Sequence, residues 1–328
     1  MFDFELDRVV AWIRDGGFSS VAIQLPEGLK IRASEITDYL SDRTGADITI
    51  IGCPCYGACD LYNYHELAEA MVHFGHSPIP SQGFDPNVLY IESRSDAVIP
   101  DSVMDSLTEL PNRVGVLATI QYLGLIPRVE SLLKLSGRTV SVGTGDKRLC
   151  YPGQVLGCNC SSAEAVMNDV DAFLFLGEGD FHPLAAAFGV QKEVFVLNPV
   201  TGEVRNMAET RDRILRRRFA TIQKAAEAES YLVIVCTKIG QKRMEEADKA
   251  VESIRLHGKK AFKAVMEEVN PMSLMSYRVD AYVNTACPRI AMDDSARYDR
   301  PMLTLPELEI VLGERSWNEY EFDQIRST

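Results

Sequence analysis

Short β-branched runs alternate with amphipathic stretches along the whole chain, and this alternation predicts parallel sheets wrapped by crossover helices. The order recurs three times. The first block places strands at 21–25, 48–52, 71–74 and 88–91, with helices at 3–15 and 33–44. The second places strands at 114–119, 139–142, 172–176 and 193–197, with helices at 125–135 and 163–169. The third places strands at 232–236, 260–263, 281–284 and 302–305, and residues 207–229 read as one long charged helix leading into it. The fold class expected is α/β, as three similar parallel-sheet α/β domains around a pseudo-threefold centre. Their spans are 1–112, 113–206 and 207–328, the last including the linker helix. Open α/β sheets bind ligands beyond the carboxyl ends of their strands, so the three sheets would share one central site.

Composition narrows compartment and partners. Lys plus Arg number 34 against 47 for Asp plus Glu, a net charge of −13, so direct nucleic-acid binding is not expected. The one dense basic run, 211–218 (RDRILRRR), has helical spacing and reads as a solvated helix face. No apolar run approaches the ~18 residues needed to cross a bilayer, and no secretory signal pattern is present. A cytoplasmic protein without membrane contact is expected. The eight cysteines would stay reduced there, as core residues or as ligands.

Cys53, Cys55 and Cys59 lie in GCPCYGACD, a Gly- and Pro-containing loop past a strand whose backbone can approach a bulky inorganic cluster. Cys158 and Cys160 lie in YPGQVLGCNCSS, a second glycine-rich loop ahead of a helix. Cys287 lies in NTACPRI, where Pro288 stops a strand and Arg289 adds a fixed positive charge. Cys150 has no such setting, and Cys236 falls inside the apolar run LVIVCT, so both read as structural. A zinc site would normally show paired CxxC elements or CxxC with histidines, and only CPC, CYGAC and CNC occur, which places zinc behind an iron–sulfur cluster. The CxxxCxxC loop of common radical S-adenosylmethionine enzymes is also missing, because Tyr62 stands where its third cysteine belongs. A cluster would draw its ligands from separate loops.

GCPCYGACD, PGQVLGCNC and NTACPRI, in this order on three α/β blocks, resemble the archaeal diphthamide synthase family. QLPEGL at 24–29, GEGDFHP at 177–183 and TKIGQ at 237–241 extend the resemblance over essentially the whole chain. It implies a four-iron four-sulfur cluster held by one cysteine from each domain, here Cys59, Cys158 and Cys287, with Cys53, Cys55 and Cys160 as neighbouring alternatives. It implies S-adenosylmethionine as co-substrate, and transfer of its 3-amino-3-carboxypropyl group to C2 of a histidine in translation elongation factor 2, the first step of diphthamide biosynthesis. A reducing electron donor and a homodimer come with the same resemblance.

Three thiolates leave one iron of a cubane open to the amino-carboxypropyl end of the cofactor. One-electron cleavage of the sulfonium would then release methylthioadenosine and a carbon radical able to bond at imidazole C2. Gln24, Gln121 and Lys238 stand at the first-strand ends of their blocks and are expected to point at one shared cavity. With Glu27, Gln241 and Arg289 they are the expected cofactor or substrate contacts, Arg289 suiting a carboxylate. His182 in GDFHP is expected to place or deprotonate the target imidazole, and His65, His73, His76 and His257 to be structural. Two rivals remain. One is quinolinate synthase, which also arranges three α/β domains around a cluster; the other is a non-catalytic subunit whose cluster only relays electrons.

Overall fold

Among residues 2–327, which the computed structural model describes, the β-branched runs assemble into three sheets. The first holds β1 (Ser20–Gln24), β2 (Asp47–Ile50), β3 (Ala70–Phe74) and β4 (Val88–Ile91) in the order β2-β1-β3-β4. The second holds β5 (Arg113–Ala118), β6 (Thr139–Ser141), β7 (Ala172–Leu176), β8 (Glu193–Leu197) and β9 (Val204–Asn206) in the order β6-β5-β7-β8-β9. The third holds β10 (Ser230–Cys236), β11 (Lys260–Met266), β12 (Ala281–Asn284) and β13 (Met302–Leu303) in the order β11-β10-β12-β13. One strand order is therefore repeated three times, with β9 added as an antiparallel edge on the second sheet. The remaining neighbours are parallel.

Alternation along the central strands sends side chains to both faces, and both are covered. In the second sheet Val114, Val116, Leu174 and Leu176 pack on one side, while Leu117, Phe173, Phe175 and Val196 pack on the other. The third sheet divides in the same way, with Tyr231, Val233 and Val235 opposite Leu232 and Ile234. Burial on both faces explains why these strands read as continuous apolar runs. In each sheet the chain order reverses between the first and third strands, and the loops leaving their carboxyl ends form the crevice where such folds place ligands.

The helices depart from expectation in informative places. Phe181–Val190 (FHPLAAAFGV) is a helix apolar on almost every side, so it carries no polar face for a periodicity reading to detect. The helix expected at 163–169 shrinks to Ser161–Glu164. The linker helix is observed at Ala208–Ala225, with Ile214, Arg218, Ile222 and Ala225 buried along one stripe. The solvated-face reading of 211–218 is thus corrected at Arg218, which is 1% exposed. Its guanidinium donates to both carboxylate oxygens of Glu307 (2.7 and 2.5 Å) and to the backbone carbonyls of Ala291 and Met302 (2.6 Å each). No helix among the described residues is long and apolar enough to cross a membrane.

Candidate metal centre

Loops from the three sheets meet around a cavity of about 160 Å³ that is lined by Cys59, Cys158 and Cys287. Cys59 sits in the short turn Ala58–Asp60 after β2, Cys158 in the long loop after β6, and Cys287 at the N-cap of the helix Pro288–Met292 after β12. The threefold likeness of the sheets does not extend to these positions. Cys59 and Cys158 follow the second strand of their units, whereas Cys287 follows the third, and the loop after β11 carries Glu267 and Glu268 instead.

Burial pushes the Cys59 thiol up to about 12, and charge on Cys158 would push the same way. Cys287 is held well above the ordinary thiol range by burial first, then by Cys59 and Cys158. Cys158 is raised by burial and drawn back by Arg148. Each thiol thus disfavours ionisation of its neighbours, and a cation among them is what would hold all three as thiolates. Cys59, Cys158 and Cys287 do not form a group with every sulfur within 4.8 Å of the others among the described residues. Three thiolates on one zinc at about 2.3 Å would stand only about 3.8 Å apart. A multi-iron core, with one thiolate on each of three corners, spreads its sulfurs more widely than a single zinc does.

The surroundings suit an anionic group. Arg148 is 5% exposed, its Nη2 lies 3.8 Å from the Cys158 sulfur and donates to Gly240 O at 3.2 Å, and its Nε is buried without a partner. Gln241 Nε2 donates to the Cys59 sulfur at 3.4 Å, and the Gly240 N–H donates to Cys59 O at 3.1 Å. The Cys158 loop is strapped by residues near the C-terminus. Ile325 N–H donates to Cys158 O at 2.8 Å, Asn159 Nδ2 to Ile325 O at 3.0 Å, and Cys160 N–H to Gln324 Oε1 at 3.0 Å.

Gly240 has no room for a side chain. A Cβ there would stand 2.4 and 2.5 Å from Cβ and Cα of Cys59, so backbone must move. Gly240→Ala should cost about 1–3 kcal/mol of stability as an overpacked site. It should also lower the iron bound per chain by displacing Cys59. Denaturant melts beside iron analysis check this, and wild-type iron content in the variant would contradict it.

The other candidate residues divide between the cavity and its surroundings. Gln121, His182, Gln241 and Arg289 line it. Gln121 Nε2 donates to Gly75 O at 2.6 Å, and the Arg289 guanidinium lies 5.1 Å from the Phe181 ring centre while pairing with Asp293 at 3.2 Å. The expectation that Gln24, Gln121 and Lys238 share one cavity is corrected. Gln24 and Lys238 line a separate pocket of about 650 Å³ between the first and third sheets. Gln24 is fully engaged by Asp60 O, the Tyr62 N–H and His73, and Lys238 by the Asp60 carboxylate at 2.8 Å. Glu27 is also corrected: it lies outside the cavity, half exposed, paired with Lys30.

Among the alternative cysteines, Cys160 packs in the core against Gly189 and donates to Gln324 Oε1 at 3.2 Å. Cys53 is exposed on the rim of the larger pocket, and Cys55 is buried near His73 and His76. Cys150 and Cys236 donate to the backbone carbonyls of Pro78 and Glu267. Sequence reasoning passed over His76 and Arg148. His76, expected to be structural, lines the cavity, while His73 lies buried behind it. The HFGH spacing, running from the end of a strand into its loop, is the available signal.

Burial pushes His76 and His182 down to about 4, with His182 opposing charge on His76 and Arg289 opposing charge on His182. Unfolded, each would titrate near its ordinary value of about 6.5. Between those values the unfolded chain binds more protons than the folded one, so stability falls as pH drops from about 6.5 toward 4. In metal-free protein the loss by about pH 5 should be on the order of 2 kcal/mol per imidazole. The denaturant midpoint should follow it, and a His76→Gln/His182→Gln double variant should show a flatter profile. Identical profiles would reject the assignment.

The family described as "Putative diphthamide synthesis protein" matches residues 25–322. The 2-(3-amino-3-carboxypropyl)histidine synthase of Pyrococcus horikoshii is 35% identical over 94% of this chain and 90% of its own length. The enzyme of the same name from Methanocaldococcus jannaschii is 26% identical over 99% of this chain and 94% of its own length. The crystal structure of Dph2 from Pyrococcus horikoshii with a 4Fe-4S cluster superposes with a TM-score of 0.91 at 32% identity, covering 100% of this chain and 95% of that one. The chain belongs to the diphthamide synthesis protein family.

Proposed function

We propose that this chain transfers the 3-amino-3-carboxypropyl group of S-adenosylmethionine to a histidine of translation elongation factor 2, with a four-iron four-sulfur cluster held by Cys59, Cys158 and Cys287. The observation that carries the reading is the meeting of three buried thiols, one from the loops of each sheet, in one cavity. Residues 1–112, 113–206 and 207–328 then act as three domains, each supplying one sulfur. Family membership removes the quinolinate synthase alternative.

When bound, the cluster supplies one electron to the sulfonium and an open iron for the amino-carboxypropyl end. The chain's own residues do the rest. Arg148 and Gln241 donate toward the ligating sulfurs, stabilising their negative charge. Arg289, on the cavity wall, suits the carboxylate of the transferred group. Ile79, Ile120, Val155 and Leu156 line the same wall and exclude water from a reactive carbon radical. His182 is neutral at working pH, so it can accept the N–H of the target imidazole and thereby aim C2 inward. A homodimer and an external electron donor complete the proposal.

The test is anaerobic reconstitution of the lone chain, reduction, and addition of S-adenosylmethionine with elongation factor 2. Methylthioadenosine and a matching mass gain on the factor are expected. Formation of 5′-deoxyadenosine would reject this cleavage. Activity that appears only after a second related chain is added would favour the electron-relay subunit.

A further inference from the structure

Cys55, His73 and His76 form a second ligand group outside the three cavity cysteines. One ligand atom from each lies within 4.8 Å of the other two, and among the described residues this is the group that meets such a spacing. Cys55 is 2% exposed and His73 fully buried, while His76 also lines the cavity wall. We propose that these three side chains bind a single divalent cation of the zinc class.

The hydrogen bonds around His73 carry the argument. Gln24 Nε2 donates to Asp60 O at 2.8 Å, which leaves Gln24 Oε1 as the acceptor for the Tyr62 N–H at 3.3 Å and for His73 Nδ1 at 2.9 Å. His73 Nδ1 must therefore carry the proton, and its Nε2 presents a lone pair toward His76 Nδ1, 2.9 Å away. A histidine whose far nitrogen donates to a fixed carbonyl acceptor has the orientation and tautomer that metal-bound imidazoles usually have. Gln24, read from sequence as a cofactor contact, acts here as the group that aims His73.

The distances require little adjustment. Two imidazole nitrogens at about 2.0–2.1 Å from a tetrahedral zinc stand about 3.3 Å apart, and a thiolate stands about 3.6 Å from each. The observed group reaches that arrangement by side-chain shifts on the order of 1 Å. Binding releases the Cys55 proton, and the proton between the rings leaves His76 Nδ1 while solvent supplies one to the outer His76 Nε2, so one thiolate and two neutral imidazoles face the cation. Three protein ligands leave a fourth position for water. Cys55 lies four residues before Cys59 in the loop after β2, whereas His73 belongs to β3 and His76 follows it. The cation would tie Cys55 to the central part of the first sheet, while Cys59 is held separately by the Gly240 N–H and Gln241.

The test uses intact protein with Zn²⁺ and Co²⁺ as probes. Anaerobically prepared chain, with its cluster assembled, should retain one zinc per chain after desalting, and cobalt should give a thiolate-to-metal charge-transfer band. Cys55→Ser and His76→Gln should each weaken zinc retention at least about tenfold while iron and sulfide stay constant. Zinc should persist in Cys287→Ala, which separates this site from the cavity thiols. Thermal melts identify a variant that has failed to fold, and the two substitutions lie on different segments. The proposal is overturned if no zinc or cobalt is retained, if zinc survives both substitutions, or if Cys55→Ser costs iron.

Discussion

Replacing Cys158 by alanine in protein prepared without oxygen should strip the bound iron and sulfide, and with them the formation of methylthioadenosine. Removing an outer hydrogen-bond partner of a metal ligand typically costs about 10–100-fold in affinity, and loss of the ligand itself should exceed that. Cys59→Ala and Cys287→Ala should behave alike, because the loops of each sheet bring one cysteine to the cavity and no other thiol lines it among the described residues. The control is Cys160→Ala, two positions away. Its sulfur packs against Gly189 and bonds Gln324, so iron content should be unchanged. Equal iron loss in Cys160→Ala and Cys158→Ala would remove the basis for the assignment.

Arg218→Met should produce the largest loss of folding stability of any single substitution considered. The guanidinium is 1% exposed and Glu307 is fully buried, so removing the positive partner strands a carboxylate in the core. Breaking one side of a buried ion pair costs about 3–5 kcal/mol. Ala291 O and Met302 O lose their donors at the same time. Because Ala291 lies on the helix that Cys287 caps, iron binding should weaken along with stability. Glu307→Gln in the Arg218→Met background should recover part of the loss by removing the unpaired charge while keeping a carbonyl oxygen for the Thr304 N–H. Urea midpoints of the two variants measure both steps, and an Arg218→Met midpoint within error of wild type would contradict the buried pair.

The strand positions and the three cysteine loops were legible because each depends on local signals: β-branched apolar runs, and Gly or Pro where a strand gives way to a loop. What sequence hid was set by tertiary neighbours. Arg218 sits in a run of charges, and only its spacing with Ile214 and Ile222 hinted that it belongs to the buried stripe. The helix Phe181–Val190 lacks a polar face because both sides are covered. Gln24 looked like a site residue from its place at a strand end, yet its partners at Asp60 and His73 come from other parts of the chain. Residue chemistry alone did not separate Cys158 from Cys160; the motif resemblance chose Cys158 and kept Cys160 as an alternative. Gln324, more than 160 positions away, shows where the second of them points.

That long-range strap also sets an order of events during synthesis. Cys59 and Cys158 leave the ribosome well before Cys287, and the residues that lock the Cys158 loop, Gln324 and Ile325, leave later still. A nascent chain offers delivery proteins an unfinished nest, with two sulfurs and a loose rim. The nest can close only once residues 324 and 325 have cleared the exit tunnel, and stalling synthesis before that point should keep the chain colourless.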